Sequence, residues 1–534
     1  MASCAGAELT VVQVDSMTKI LPETAAFQPA RDTAETAIGA HATFQAAFRS
    51  PFAIEGLTIG CTGFEGLEIV RTGLVGLVGI SEPTSGAGHD YIRSASGLYP
   101  DPILTEGPWG IPAGQASSAW VTVKVPQEAA AGIYRGSLTL KGKAGGRRFS
   151  KTVPLAVKVW DVHLGEQALL STNWNFDFEE CLAKWNGGEA PAFESDDYWE
   201  YMQQMAAALA EGHQNVTRVP LFELIGMKEV DGEWNFDFRR FNKTVRLYED
   251  AGVLERLECG ELGHRIKPSW TAGFGLFVPD EKQGKELYPI DNPLVIKFYK
   301  AFLPALVQDL KENGWWEKTW QQVCDEPIDE NAEEYKKVVT FLRSIEPSIR
   351  VMEALQTTRL EGYMDVWVPQ LNTWHENYVF FCSRQKAGDE VWFYTCCFPR
   401  GEYPNRFIEQ PLLKTRGLYW LAAKYGATGY LHWGFNYWTG DVFRNTDRPG
   451  TDVSLPGGDC WIVYPGNRCF LSSLRFEAMR DGIEDHTLLT QLAKKNPAAA
   501  KALCDRMVFN WWRCSTSTDE FASIRGELLR SLAQ

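Results

Sequence analysis

"KTWQQVCDEPIDENAEEYKKVVTFLRSIE", residues 318–346, changes period in its middle. Residues 318–324 form a short apolar and aromatic run of strand type, and residues 330–346 carry a helical pattern. Asp325, Glu326 and Pro327 stand at the joint. A strand that turns at once into a helix is the repeating unit of parallel sheets, and the unit recurs on both sides. Strands are predicted at 171–176, 214–220, 255–262, 318–324, 349–355, 365–371, 390–396 and 428–434. Helical patterns fill 195–211, 238–252, 292–312, 330–346 and 407–425. Eight strands alternating with helices predict a (β/α)8 TIM-type barrel, with a doubly wound sheet as the alternative.

The flanks read differently. Residues 1–165 alternate apolar and polar positions, as in "AWVTVKVPQEAAAGIYRGSLTLKG" (119–142) and "RRFSKTVPLAVKVWDV" (147–162), and contain no long amphipathic helix. An N-terminal β-sandwich is predicted there. Residues 166–490 are the predicted barrel. Residues 491–534 form a helical C-terminal extension, interrupted near 515–518. The chain of 534 residues is therefore multidomain, within the two to four domains that such a length suggests.

Composition narrows the partners. A net charge of -15 argues against nucleic acid and anionic membrane surfaces, which require clustered Lys and Arg. No apolar run is long enough to span a bilayer. "MASCAGAELTVVQVDSMTKI" (1–20) lacks a basic segment followed by an apolar one, so no signal peptide is read. The expectation is a cytoplasmic protein, or a secreted one with its signal trimmed. The 12 Cys form no CxxC pair and there are only 8 His, so neither a metal nor a cofactor is expected. Free thiols are the simplest expectation, although Cys460 and Cys469 are near enough in sequence to bridge a loop. Of the 20 Trp, only Trp109, Trp120 and Trp160 precede residue 170. Excess indole in an acidic domain suits carbohydrate, whose apolar face stacks on aromatic rings.

In a barrel the chemistry belongs at the C-terminal strand ends. That filter selects Trp174, Arg218, Glu258 or Glu261, Asp325 and Glu326, Glu353, Asn372, Tyr394, and Trp433 with Asn436. The set contains carboxylates, amides and aromatics, with no Gly-rich phosphate loop and no Ser-His-Asp order, and it fits glycoside hydrolysis. Of the five Asp-Glu pairs, Asp325-Glu326 alone directly ends an apolar strand at the active face. Asp280-Glu281 lies in a long loop, Asp329-Glu330 reads as a helix N-cap, Asp389-Glu390 precedes a strand and Asp519-Glu520 opens the last helix. Two carboxylates this close raise the pKa of one of them, as a general acid requires. The same pair would also serve as a plain helix-capping charge.

"CDEP" (324–327), "PQLNTW" (369–374), "EYPNRFIEQPLLKTRGLYWLAAKYGATGYLHWGFNYW" (402–438) and "SLRFEAMRDGIEDHTLL" (473–489) together resemble glycoside hydrolase family 123. "LYPDPIL" (98–104) and residues 119–142 resemble that family's N-terminal sandwich. The resemblance implies a retaining β-N-acetylgalactosaminidase acting on glycans or glycolipids with terminal GalNAc, in which the substrate's acetamido oxygen attacks C1 to give an oxazoline or oxazolinium. It assigns Asp325 to the acetamido group and Glu326 to the leaving oxygen. Trp433 and Trp392 are candidates for the floor and wall of a sugar pocket, Trp174 a further substrate-binding candidate, Tyr394 a candidate partner of the acetamido carbonyl, and Asn372 and Asn436 candidate partners of ring hydroxyls. Arg475, Glu477, Arg480 and Asp481 read as an intramolecular charge network beneath the barrel. Alternative expectations are a β-N-acetylglucosaminidase or β-galactosidase on the same scaffold, or a non-catalytic carbohydrate-binding protein.

Overall fold

The computed structural model describes residues 9–31, 33–280, 284–448 and 454–534. It places a strand in every predicted strand segment: β1 (Leu170–Asn173), β2 (Val216–Val219), β3 (Arg256–Cys259), β4 (Thr319–Gln321), β5 (Met352–Leu355), β6 (Val366–Pro369), β7 (Glu390–Tyr394) and β8 (Gly429–His432). β2, β3 and β4 pair in parallel as one ladder, and β5, β6, β7, β8 and β1 as another. A parallel bridge from Gln321 to Val351 joins β4 to the start of β5. Between β1 and β2, the Asn215 N–H donates to the Ser171 carbonyl (3.1 Å) and the Ser171 N–H to Asn215 Oδ1 (2.8 Å).

Residues two apart on a strand share a face. Val216, Trp320, Met352, Ala354, Val366, Val368, Trp392, Tyr394 and Leu431 all project into one buried cluster among these strands, joined by Trp174. The predicted helices at 195–211, 292–312 and 330–346 appear as Asp196–Glu211, Pro293–Glu312 and Ala332–Ile345. The first is capped by the Ser195 hydroxyl, and the second by Asn292 with Pro293 in its first turn, where a missing N–H costs nothing.

Some expectations are corrected. Asp329 does not cap the helix: Asn331 occupies that position, and Asp329 instead accepts a hydrogen bond from the Thr357 hydroxyl. The tail is not helical throughout, because Val508–Asn510 and Arg513–Cys514 pair as a hairpin between Pro497–Met507 and Thr518–Ala533. Cys460 and Cys469 are both free thiols. Cys4, Glu281 and the first eight residues lie outside the described residues. No described helix is long and apolar enough to cross a membrane.

Upstream, two five-stranded sheets share one apolar core. Phe44, Phe48, Val121 and Val123 come from one sheet, and Leu57, Leu138, Leu140 and Val157 from the other. The predicted charge network is present and ties these sheets to the helix Leu474–Lys495. Arg475, fully buried, clamps Asp101 through Nε (3.0 Å) and Nη2 (2.7 Å), while the Tyr464 hydroxyl donates to the same carboxylate at 2.6 Å. Glu477 accepts from Arg71, Ser472 and Thr122 and pairs with Arg480 at 2.8 Å. Four partners hold the Glu477 carboxyl at about 2 despite its burial.

Candidate active site

The inward register of the strands sets the first layer of the site. Arg218 lies two residues beyond Val216, Gln322 two beyond Trp320, Gln356 two beyond Ala354, Gln370 two beyond Val368, Tyr394 two beyond Trp392 and Trp433 two beyond Leu431. The apolar filling thus gives way to amides, a guanidinium, a phenol and an indole at the C-terminal strand ends. Arg218 donates to Gln322 Oε1 (3.0 Å) and Glu261 (3.2 Å), and its guanidinium lies 4.5 Å over the Trp174 ring.

The chain leaves β4 through Asp325 and Glu326. Glu326 adopts a left-handed φ of 51° without being glycine, immediately before Pro327. Such a conformation costs about 1–3 kcal/mol and persists only where its surroundings enforce it. Here Arg265 enforces it, donating to the carbonyls of Asp325 (3.0 Å) and Glu326 (2.6 Å). Glu353 holds the other side, accepting the backbone N–H groups of Val323 (3.0 Å) and Cys324 (2.9 Å) and the Tyr335 hydroxyl (2.9 Å) on one oxygen. Cys324 is a buried filler whose thiol burial pushes far above its ordinary range.

Both carboxyls of the pair are shifted upward. Asp325 is raised well above the ordinary carboxylate range, first by burial and then by the charges of Glu326 and Glu261, with Arg265 and Arg218 opposing. Glu326 is also raised by burial, against a hydrogen bond from Tyr394 and the charge of Arg265. The Tyr394 phenol oxygen faces amide N–H groups of Gln356 (3.3 Å) and Gln370 (3.2 Å), so its own proton points to Glu326 Oε1. That fixes Glu326 Oε1 as an acceptor. Tyr394 thus meets Glu326, where the sequence reading makes it a candidate partner of an acetamido carbonyl.

The remaining predicted residues divide. Trp433 is partly exposed, and its indole N–H lies 3.2 Å from both oxygens of Asp459, whose carboxyl burial raises to about 7. Trp174 turns its N–H to Glu258 Oε2 (3.1 Å). Glu258 is raised to about 7 by burial and is only 1% exposed. Asn372 is half-buried on the short helix Leu371–Glu376, with its Oδ1 enclosed and unpartnered. Trp392 is corrected: it is fully buried, edge-on to Trp320 at 5.5 Å and one layer below Tyr394, so it packs the interior and touches no open surface. Asn436 is corrected too. Its amide is consumed by the Phe176 N–H and carbonyl (2.8 Å each) and the Tyr201 hydroxyl (2.7 Å), and it pins the loop after β1. Sequence reasoning missed Gln322, Gln356 and Gln370, which the two-residue register would have found. It also missed Arg265 and Asp459, which lie in segments without a clear period.

One set of ligand-type side chains gathers among the described residues, away from this site. His41, His213 and Glu484 bring their ligand atoms within 4.8 Å of one another. Glu484 Oε1 lies 2.5 Å from His41 Nδ1 and 3.1 Å from His213 Nε2, and its Oε2 accepts the His41 N–H. The carboxylate is thus satisfied by hydrogen bonds alone.

Comparison with known proteins places this geometry. The model of the glycoside hydrolase 123 catalytic domain matches residues 180–492, and that of the glycoside hydrolase 123 N-terminal domain matches residues 66–142. A family 123 glycoside hydrolase from Clostridium perfringens, studied for glycolipid glycan hydrolysis, superposes with a TM-score of 0.75 at 16% identity, over 98% of this chain and 97% of that one. That likeness extends the shared fold across both the N-terminal sheets and the parallel strands. An endo-β-1,4-mannanase from Thermotoga petrophila is more distant, with a TM-score of 0.37 at 11% identity over 61% of this chain and 78% of that one. A β-glucuronidase from Parabacteroides merdae reaches a TM-score of 0.32 at 10% identity, over 90% of this chain and 52% of that one. No curated protein sequence matches the chain. The catalytic-domain match spans more than half of the chain and contains every strand-end residue from Arg218 to Trp433, and the chain belongs to glycoside hydrolase family 123.

Proposed function

We propose that the protein is a retaining exo-glycosidase that removes terminal β-linked N-acetylgalactosamine from glycans or glycolipids by substrate-assisted catalysis. The observation that carries this reading is the turn at Asp325-Glu326: two adjacent carboxyls, both shifted upward, with Glu326 oriented by Tyr394. A conventional retaining pair flanks the bond with a nucleophile about 5–5.5 Å from the acid. Neighbouring side chains on one turn are poorly placed for that, but they suffice when the substrate supplies its own nucleophile. In this proposal β1–β8 form a (β/α)8 barrel over residues 166–490, preceded by a β-sandwich over 1–165 and followed over 491–534 by an extension of helices and a short hairpin.

The steps follow from the electrostatics. Burial of both carboxyls, with the Glu326 charge acting on Asp325, favours a proton on the pair. An acetamido N–H arriving at Asp325 favours its ionised form, and like-charge repulsion then keeps the remaining proton on Glu326. Glu326 gives that proton to the leaving oxygen as the acetamido oxygen closes on C1. Ionised Asp325 stabilises the positive charge developing on the acetamido nitrogen. Glu326, now a carboxylate, takes a proton from the water that opens the oxazolinium, and the anomeric configuration is retained. Trp433 is proposed as the sugar platform, with Trp174 and Asn372 lining the site. The choice of the galacto sugar rests on the family and on the glycolipid-glycan activity described for the Clostridium perfringens relative.

Aryl β-glycosides of N-acetylgalactosamine, N-acetylglucosamine and galactose test the reading, with proton NMR on the first product. The expected result is hydrolysis of the N-acetylgalactosaminide with β-anomer appearing first. Hydrolysis of the galactoside alone would refute acetamido participation, and an initial α-anomer would refute retention. Tight binding of such glycans without turnover over days would make the protein a lectin-like binder instead.

Tyr394→Phe bears on the same assignment. Loss of its hydrogen bond leaves the burial of Glu326 less opposed, so the carboxyl rises further and the alkaline limb of kcat/KM moves to higher pH. Turnover is expected to fall about tenfold, the worth of one hydrogen bond to a charged group. An unmoved alkaline limb would detach Tyr394 from the acid.

A further inference from the structure

β7 ends at Tyr394, and the chain continues through Thr395, Cys396, Cys397 and Phe398. Successive side chains on a strand point to opposite faces, which would hold two neighbouring thiols apart. Here the strand has already stopped. The Cys396 N–H turns onto the Phe398 carbonyl at 2.8 Å, and in this turn the Cys397 thiol faces the Cys396 sulfur at 4.0 Å. The backbone of the turn is pinned, with Asn405 Nδ2 donating to the Cys396 carbonyl (2.9 Å) and Arg400 Nε to the Cys397 carbonyl (3.0 Å). Both thiols are free and partly exposed. Cys396 also touches the layer that carries the carboxyl pair. It lies two residues beyond Tyr394 and packs on the same inward cluster as Trp433. Its sulfur is 3.6 Å from Nε2 of Gln370, the amide that faces the Tyr394 phenol.

Two thiols held together by a fixed backbone are a ligand site, and the geometry selects the ligand. A disulfide between adjacent residues would join Cα atoms about 3.8 Å apart, short of the usual span of about 4.4–6.8 Å. Zinc takes four ligands, and among the described residues no third His, Cys, Asp or Glu gathers with this pair. A trivalent arsenic that already carries one carbon substituent takes two sulfurs and no more. We propose that Cys396 and Cys397 form a modification site for monosubstituted trivalent arsenicals, and that its occupation switches off the site at Glu326. With phenylarsine oxide, both S–H bonds break, two As–S bonds form, and the oxygen leaves with the two protons as water. Arsenic stays trivalent, so no oxidant or reductant takes part. The switching rests on the assignment of Tyr394 and Glu326 to catalysis: the closed ring draws the Cys396 sulfur towards Cys397 and sets an aryl group at the strand end that bears Tyr394. The other partly exposed thiols, Cys61, Cys382 and Cys469, stand on separate segments, so among the described residues a reagent for paired thiols has this one site.

Phenylarsine oxide is the probe, applied to the full chain of the wild type and of Cys397→Ser. Intact mass reads the adduct, and hydrolysis of the aryl β-N-acetylgalactosaminide reads activity. The expected result is one arsenic per wild-type chain and a loss of activity of about 10²-fold, as when a positioned group is displaced by an ångström. Activity should return with 2,3-dimercaptopropanol and not with the same concentration of a monothiol. Cys397→Ser should keep its activity without the arsenical and bind it about 10²-fold more weakly, because the second As–S bond is the intramolecular one. Binding by Cys397→Ser as tight as by the wild type would put the arsenic elsewhere, and equal recovery with the monothiol would show an adduct on a single thiol. A wild-type adduct with unchanged activity would detach the pair from the site at Glu326. Each of these overturns the inference. A wild-type protein that hydrolyses no glycoside takes down the functional reading alone, since the mass of the adduct still decides the paired-thiol site.

Discussion

Glu326→Gln is expected to reduce turnover of an unactivated glycan by about 10³–10⁴-fold, near the upper end of what a positioned general acid supplies. The substitution keeps the size of the side chain and its contact with Tyr394, but it has no proton of suitable acidity to give. The loss should depend on the leaving group. An aryl glycoside whose phenol is already acidic needs little protonation, so formation of the oxazolinium should fall far less than for a sugar alcohol. The second step still lacks a base, and intermediate should then accumulate as a burst. Rates measured across phenols of decreasing acidity would show a steep dependence in the variant and a shallow one in the wild type. Equal losses across the series would remove Glu326 from the acid role. The alkaline limb of the pH profile should also vanish, since the protonated form of Glu326 carries it.

Asp325→Asn should cost about 10²–10³-fold, the range for removing one preorganised charge from a developing transition state. Here the loss should be uniform across leaving groups, because the acetamido group must be held whatever departs. Removing the neighbouring charge also lowers the Glu326 pKa, so any residual activity should have its alkaline limb at lower pH. Stability should move the other way. Asp325 is raised in the folded protein, so the fold binds its proton more tightly than the unfolded chain does. The benefit is full below the unfolded carboxyl pKa and is lost as pH rises toward the folded value. Asn cannot ionise and avoids that loss. The variant should therefore melt about 1–2 °C higher than wild type at pH 8, with the gap closing toward pH 4. A variant that is less stable at pH 8 would show that Asp325 is a structural anchor. High stability with low activity is the trade-off expected of a strained site.

The eight strands were legible because each carries inward residues at period two and ends in a change of composition. Val366 and Val368, and Trp392 and Tyr394, announce both the strand and its face. The pair at Asp325-Glu326 was legible because an apolar strand stops there against a proline. Depth was not legible: Trp392 and Tyr394 share a face and are both buried, and only the assembled structure sets Trp392 against Trp320 and the Tyr394 hydroxyl against Glu326. Asn436 was misread because a residue past a strand end faces either the cleft or the neighbouring loop, and the sequence does not say which. Arg265 sits on a three-stranded antiparallel insertion, Gly263–Arg265, Phe274–Pro279 and Lys285–Tyr288, whose strands are too short and too interrupted to show a period. Asp459 reaches Trp433 from a long connection, and Glu484 meets His41 across most of the chain length. Contacts of that separation leave no local trace.

Arg475 has a consequence for how this molecule changes over evolutionary time. Its counter-ion, Asp101, belongs to the N-terminal sheets, and both groups are wholly enclosed. A catalytic portion without those sheets would keep the Arg475 bonds to the carbonyls of Gly458 (2.8 Å) and Trp461 (2.9 Å) but lose its counter-ion, a defect of up to about 3–5 kcal/mol when one partner of a buried pair is removed. Recombination that exchanged the upstream sheets for an unrelated module would meet the same penalty unless it brought a carboxylate to the same place. Asp101 and Arg475 thus couple the N-terminal sheets to the catalytic portion through a charge that neither can bury alone.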